Sequence, residues 1–256
     1  MGFLPDHERA PERDLPKKHG IPRVLELLGR DFWKYFRAGF LALAGALPFL
    51  VGTAFALYSH VLLFAPLAGL IGGAAAGPGL CGLADTVLRG LRDEPGFWWH
   101  LYKRAWRRNA RASLLPGAVG GGLLSTQVFL LFHAGALGLS TAMGAALVAG
   151  ALVVLGLSLY LWPQLALMEL RFPQLLKNAG LLFLGQLPRS LAALAVLAVP
   201  LALALRYFYV AVSLLPFVNL WLTVFPALFL IYPGLEKNFQ IEEKLSPRRK
   251  DAQEEL

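Results

Sequence analysis

Charge in this sequence is confined to a few blocks, and that confinement limits what the chain can fold into more than any other feature. Residues 38–84 and 112–168 contain no Lys, Arg, Asp or Glu. A soluble bundle needs a polar face on every outer helix, which scatters charge along the chain. Here 57% of residues are apolar and 16% charged, against roughly a quarter charged in a typical soluble domain. The pattern reads as an all-α, polytopic membrane helix bundle.

Spacing and breakers divide the chain into six expected transmembrane helices. The first covers about 38–59 with Pro48 inside; at ~1.5 Å per residue it is long enough to cross a hydrocarbon core of ~30 Å. The others are expected at about 61–84, 112–132, 141–161 (extending toward Met168), 190–205 (extending toward Tyr209) and 218–232. A tight extracellular turn is expected near 213–217. The domain division is a cytoplasmic N-terminal tail and interfacial helix over 1–37, a six-span domain over 38–235 and a cytoplasmic tail over 236–256. Within the spanning domain, 85–111 and 169–189 are cytoplasmic segments.

Three segments suggest amphipathic helices on the membrane surface. In 21–35, Val24, Leu27, Leu28, Phe32 and Tyr35 recur at helical spacing. In 169–189, Leu175, Leu176, Ala179, Leu182 and Phe183 share a face, with Pro173 at the start and Pro188 as a break. The third is the polar block from Asp85 to Arg111. There Trp98, Leu101, Tyr102, Ala105 and Trp106 are expected along one face, with Lys103, Arg104, Arg107, Arg108 and Arg111 mainly on the others. Trp98, Trp99, Tyr102, Lys103, Arg104, Trp106, Arg107 and Arg108 are the candidates for contact with the membrane surface or a partner, since Trp and Tyr favour the headgroup layer and basic residues are drawn to anionic lipid.

The net charge of +8 does not indicate nucleic acid. The basic residues flank apolar spans, where they face anionic headgroups and set topology. Eight lie in 1–37, seven in 85–111, three in 169–189 and five after Glu236, leaving Arg206 alone. With six spans the four basic segments share one side, so both termini are expected in the cytoplasm. No cleavable signal peptide is expected, because the first 37 residues are polar; the first span would act as an uncleaved signal.

The second span is rich in glycine. Gly69, Gly73 and Gly77 stand four apart, and Gly117 and Gly121 repeat that spacing in the third. Such strips let helices approach closely, and these five residues are the candidate packing positions. The other reading of this region is a bend or unwinding at Gly77-Pro78-Gly79 that lines a cavity.

Candidate chemistry is sparse. His7, His19, His60, His100 and His133 are expected far apart and on different sides, and no HExxH, CxxC, GxSxG or P-loop pattern occurs. No catalytic residue, metal or cofactor is therefore expected, and Cys81 reads as a small buried hydrophobe. Polar residues at membrane depth are few: Ser125, Thr126, Gln127, Ser158, Gln164 and Asn219. Gln127 and Gln164 are the candidates for a polar path, with interhelical hydrogen bonding as their default use. Asp85 and Glu169 are expected at cytoplasmic ends, where ionisation is cheap.

The run LADTVLRGLRDEP followed by FWWHLYKRAWRRN, and the later stretch Leu159–Leu191, resemble the YesL family of bacterial integral membrane proteins. Together they cover about half the chain; the N-terminal tail and 60–76 match less well. The resemblance implies a multi-pass protein of the bacterial cytoplasmic membrane with no established biochemical activity, linked to carbohydrate ABC transport. It implies ABC-transporter subunits as partners and supplies no catalytic residues. The expected function is a non-enzymatic accessory or assembly factor; the alternative is a small-solute transporter or channel in its own right.

Overall fold

The computed structural model describes residues 20–214 and 219–240. All regular structure among them is helical: α1 (Ile21–Ser59), α2 (Phe64–Leu91), α3 (Trp98–Phe132), α4 (Thr141–Leu167), α5 (Phe172–Gly185), α6 (Leu187–Arg206), α7 (Phe208–Leu214) and α8 (Trp221–Phe239). Five of these, α1 to α4 and α6, are long and apolar enough to cross a membrane. The chain divides into two compact units, 1–32 and 33–256.

The expected apolar face of 21–35 is buried at Leu27 and Tyr35 and half-buried at Val24 and Leu28, with Phe32 exposed, and the buried stripe also takes in charged residues. Arg23, Leu27 and Asp31 are buried, while Ile21 and Leu25 are exposed. Charge is accommodated on the buried stripe by pairing: Arg23 meets Glu26 at 3.3 Å, and Arg30 donates to Asp31 Oδ2 from Nε and Nη2 at 2.8 and 2.7 Å. Helix α1 is a single helical element from Ile21 to Ser59.

The second unit is built around α2. Its most apolar stretch is 61% buried, against 11–28% in the other four long helices. Two sets of glycines explain why. A Cβ on Gly69, Gly73 or Gly77 would run into the backbone carbonyl oxygen of Gly121, Gly117 or Ser113 of α3. On a second face, a Cβ on Gly72 would meet the backbone of Phe49, and one on Gly79 would lie 2.9 Å from the Cα of Ala42, both in α1. Backbone therefore meets backbone on both sides of α2, the approach that small residues permit in lipid. Thr53 of α1 donates to the Ser125 hydroxyl of α3 at 3.0 Å in the same layer. Helix α2 is continuous through Gly77-Pro78-Gly79, so the alternative of unwinding there is not seen, and Gly77 and Gly79 both pack on neighbouring backbone.

The remaining helices depart further from expectation. Helix α5 forms where expected and buries Leu175, Ala179 and Leu182, but it is not a free surface element. Phe183 packs on Gly156 of α4 and meets the Tyr160 ring edge-on at 6.5 Å. The Tyr160 hydroxyl lies 2.7 Å from Ser190 Oγ, joining α4 to the start of α6. The expected sixth span does not begin at the far end of the bundle. Asn219, just ahead of α8, donates to the Phe36 carbonyl at 3.2 Å, and the Phe225 ring lies 4.9 Å from that of Tyr35. The start of α8 thus sits beside the first turns of α1's membrane segment, and Gly234 near its other end takes the Gln186 side chain. Helix α8 is not among the five helices of spanning length and apolarity. The turn expected at 213–217 falls largely on 215–218, outside the described residues.

The glycine contacts give a direct test. Gly73→Ala and Gly117→Ala should each destabilise the detergent-solubilised protein by about 2 kcal/mol, as overpacking against unyielding backbone does. Gly144→Ala, in open space within α4, should be neutral or stabilise by up to about 1 kcal/mol. Thermal denaturation of the three variants checks the ordering.

Candidate functional site

The site with the most organised chemistry is the turn joining α2 to α3. Helix α2 ends with two reverse bonds, Asp93 N–H to the Gly90 carbonyl at 3.2 Å and Glu94 N–H to the Arg89 carbonyl at 3.0 Å. This is the Schellman arrangement, and Asp93 occupies its left-handed position at φ 57° where glycine is usual. Aspartate tolerates that conformation better than most residues. Gly96, at φ 140°, completes the reversal after Pro95.

The turn is locked by ion pairs. Arg89 donates to Asp85 Oδ2 at 2.7 Å and to Glu94 Oε2 at 2.6 Å, and Arg92 donates to Glu94 Oε1 at 2.8 Å. Asp85 and Arg92 are almost fully buried. Asp85 was expected where ionisation is cheap; it is instead enclosed, and the guanidinium one helical turn away offsets its lost hydration.

Helix α3 leaves the turn in a way the amphipathic pattern did not anticipate. Tyr102, Ala105, Asn109 and Ser113 are buried, and the Tyr102 ring fills the space left by Gly82 of α2. Trp106, expected on that face, is exposed, as is Trp99; Trp98 is half-buried. The interfacial segment is therefore the first third of a 35-residue helix docked on α2. At ~1.5 Å per residue that helix is ~52 Å long, well beyond a hydrocarbon core of ~30 Å. The signal for docking was present in the sequence: Ala105, Asn109, Ser113, Gly117, Gly121 and Ser125 are small or short residues at every fourth position.

What remains outward on α3 is a mixed surface. Trp99, Lys103 and Trp106, spaced by four and three, form one exposed stripe, flanked by exposed Arg104, Arg107 and Arg111. Trp99 is stacked with Tyr102 at a centroid distance of 6.2 Å, which ties the stripe to the buried face. Arg108 turns back and donates to the Ala166 carbonyl at the end of α4 at 2.7 Å.

The two candidate path glutamines are not brought together. Gln127 Nε2 lies against Gly150 of α4, and Gln164 donates to the Tyr160 carbonyl at 3.0 Å. Positions 150 and 164 are separated along α4 by ~21 Å at its ordinary rise. A cavity of about 160 Å³ between α2, α4, α6 and α8 is lined by apolar residues including Leu80, Ala84, Leu159 and Leu228. Its one hydroxyl, Ser158, donates to the Val154 carbonyl at 2.8 Å. Cys81 is buried with a free thiol.

One pair was missed. His60 and His133, expected far apart, meet with ring nitrogens 2.9 Å apart. These two both fall at the ends of expected spans on the side without basic blocks. Among the described residues no group of three or more His, Cys, Asp and Glu could hold a metal ion.

No protein-family model, curated protein or solved structure matches the chain.

The charge network predicts an asymmetry. Arg89→Ala strands the buried carboxylate of Asp85 and leaves Glu94 with Arg92 alone, whereas Asp85→Ala leaves Arg89 paired with Glu94. Loss of the arginine should cost about 3 kcal/mol, and loss of the aspartate clearly less. Equal melting temperatures for the two variants would show that the pairs do not hold the turn.

Proposed function

We propose that this is a non-enzymatic, multi-pass protein of the bacterial cytoplasmic membrane that acts as an accessory or assembly factor, with subunits of a carbohydrate ABC transporter as its partners. The observation that carries the reading is the exposed Trp99–Lys103–Trp106 stripe with its arginine flank, held on a helix whose opposite face is locked to α2. Aromatic residues and arginine on a rigid support favour macromolecular contact. The link to sugar uptake rests on the resemblance to the YesL family alone.

Orientation follows from where the basic residues cluster. Lys34 and Arg37 flank Tyr35, and a Cβ on Gly90 would meet the Tyr35 hydroxyl. The start of α1's membrane segment and the α2–α3 turn thus lie at one end, which the positive-inside rule assigns to the cytoplasm. The contacts of Asn219 and Phe225 with Phe36 and Tyr35 support the start of α8 at that same end. The basic flank then also faces anionic headgroups, each residue near the surface adding about 1 kcal/mol of attraction. Transport in its own right gains no support, because α2 does not unwind and the two glutamines line no common path.

Affinity purification from native membranes tests the proposal. ABC-transporter subunits should co-enrich with the wild-type chain and be lost with a Trp99→Ala, Lys103→Glu, Trp106→Ala variant that keeps its thermal stability. Recovery of the wild-type chain alone would overturn the reading. Sealed vesicles carrying the purified protein should accumulate no more labelled sugar than empty vesicles; accumulation above that level would favour the transporter reading.

A further inference from the structure

At the end of the bundle remote from the α2–α3 turn, we propose that His60 and His133 form a two-imidazole site for a divalent first-row metal ion of tetragonal preference, with copper(II) as the best fit. The His133 ring lies at the end of α3 and is buried. Its Nδ1 is 3.0 Å from the Phe129 carbonyl oxygen. A carbonyl only accepts, so the proton is on Nδ1 and the lone pair is on Nε2. An imidazole whose second nitrogen is fixed on a backbone carbonyl is the usual arrangement of a metal-bound histidine.

His60 supplies the second nitrogen. Its Nδ1 stands 2.9 Å from that lone pair, with the rings at 79°. His60 occupies the turn between α1 and α2 with φ 56°, a left-handed conformation that non-glycine residues adopt at some cost. The turn thus accepts strain while placing an imidazole over His133. His60 is exposed, so an ion reaches the pair without opening the bundle.

The 2.9 Å separation is that of an N–H···N hydrogen bond, which the ion replaces as the rings turn both lone pairs toward it. Copper(II) heads the divalent series in affinity for nitrogen ligands, and that selects it over zinc. The proton balance closes: His60 moves its proton from Nδ1 to Nε2, both rings stay neutral, and the metal replaces the shared hydrogen bond with no net proton release. Water completes the coordination. The Phe129 and Phe132 rings, with centroids 4.2 and 5.3 Å from that of His133, wall the site on the protein side.

The test uses the full chain in detergent with one equivalent of copper(II). The expected result is an axial electron paramagnetic resonance spectrum with superhyperfine structure from two imidazole nitrogens. His60→Ala, which alters an exposed residue, should weaken binding by about tenfold or more. A variant lacking His7, His19 and His100 should keep both spectrum and affinity. Copper(II) should raise the melting temperature of the wild-type chain and not of His60→Ala. Unchanged binding in His60→Ala, loss of the signal on removing the other three histidines, or no stoichiometric binding would each overturn the site.

Discussion

Backbone contact along α2 is the constraint on which the second unit depends. In lipid no hydrophobic force draws helices together, so association rests on dispersion, weak Cα–H···O contacts and interhelical hydrogen bonds, all of which need close approach. Helix α2 presents two glycine faces, Gly69, Gly73 and Gly77 toward α3 and Gly72 and Gly79 toward α1. At 100° per residue these faces are about 110° apart. A single strip would give a helix pair; two make α2 the shared wall of a three-helix layer. The other helices have no such freedom, because their positions on α2 are limited to what α1 and α3 leave uncovered.

Half of that arrangement was legible. The four-residue spacing of Gly69, Gly73 and Gly77, matched by Gly117 and Gly121, identifies the residues that meet across α2 and α3. The α1 face was harder to read, because Gly72 and Gly79 are seven apart and their counterparts on α1, Gly45 and Gly52, repeat that spacing of seven rather than four. Amphipathicity misled for a related reason. A polar face shows only that one side of a helix is wet, and the dry side of 98–111 looks the same whether it meets lipid or α2. The small-residue register from Ala105 to Ser125 distinguishes the two, since lipid does not require short side chains at every fourth position.

Charge followed the same logic at the candidate site. The i,i+4 pair Asp85 and Arg89 can be read from the sequence, but the burial that gives it weight depends on how closely α2 is enclosed. Once Asp85 is out of water its partner is no longer optional, and Arg89 also holds Glu94, so the carboxylates fix the turn from both ends. Asp93 takes the left-handed position where glycine is usual, so the residue type alone does not mark the turn. The outward Trp99–Lys103–Trp106 stripe is a consequence: the turn sets the rotation of α3, and with it which aromatic residues remain free for a surface or a partner.

The C-terminal helices show where hydropathy stops being informative. Apolarity and length are properties of one element, whereas crossing depends on what holds its two ends. Asn219 looked like a polar residue at membrane depth within a sixth span. Its amide instead works as a junction: Oδ1 accepts from the Trp221 backbone N–H at 3.2 Å, and Nδ2 donates to the Phe36 carbonyl. The side chain fits because position 39 is glycine; a Cβ there would occupy the amide's place. Phe36 lies near the start of α1's membrane segment, so this junction anchors the start of α8 at that end and removes the need for it to begin across the bilayer. Gly39 was one more glycine in an apolar run until the residue 180 positions later filled the gap beside it.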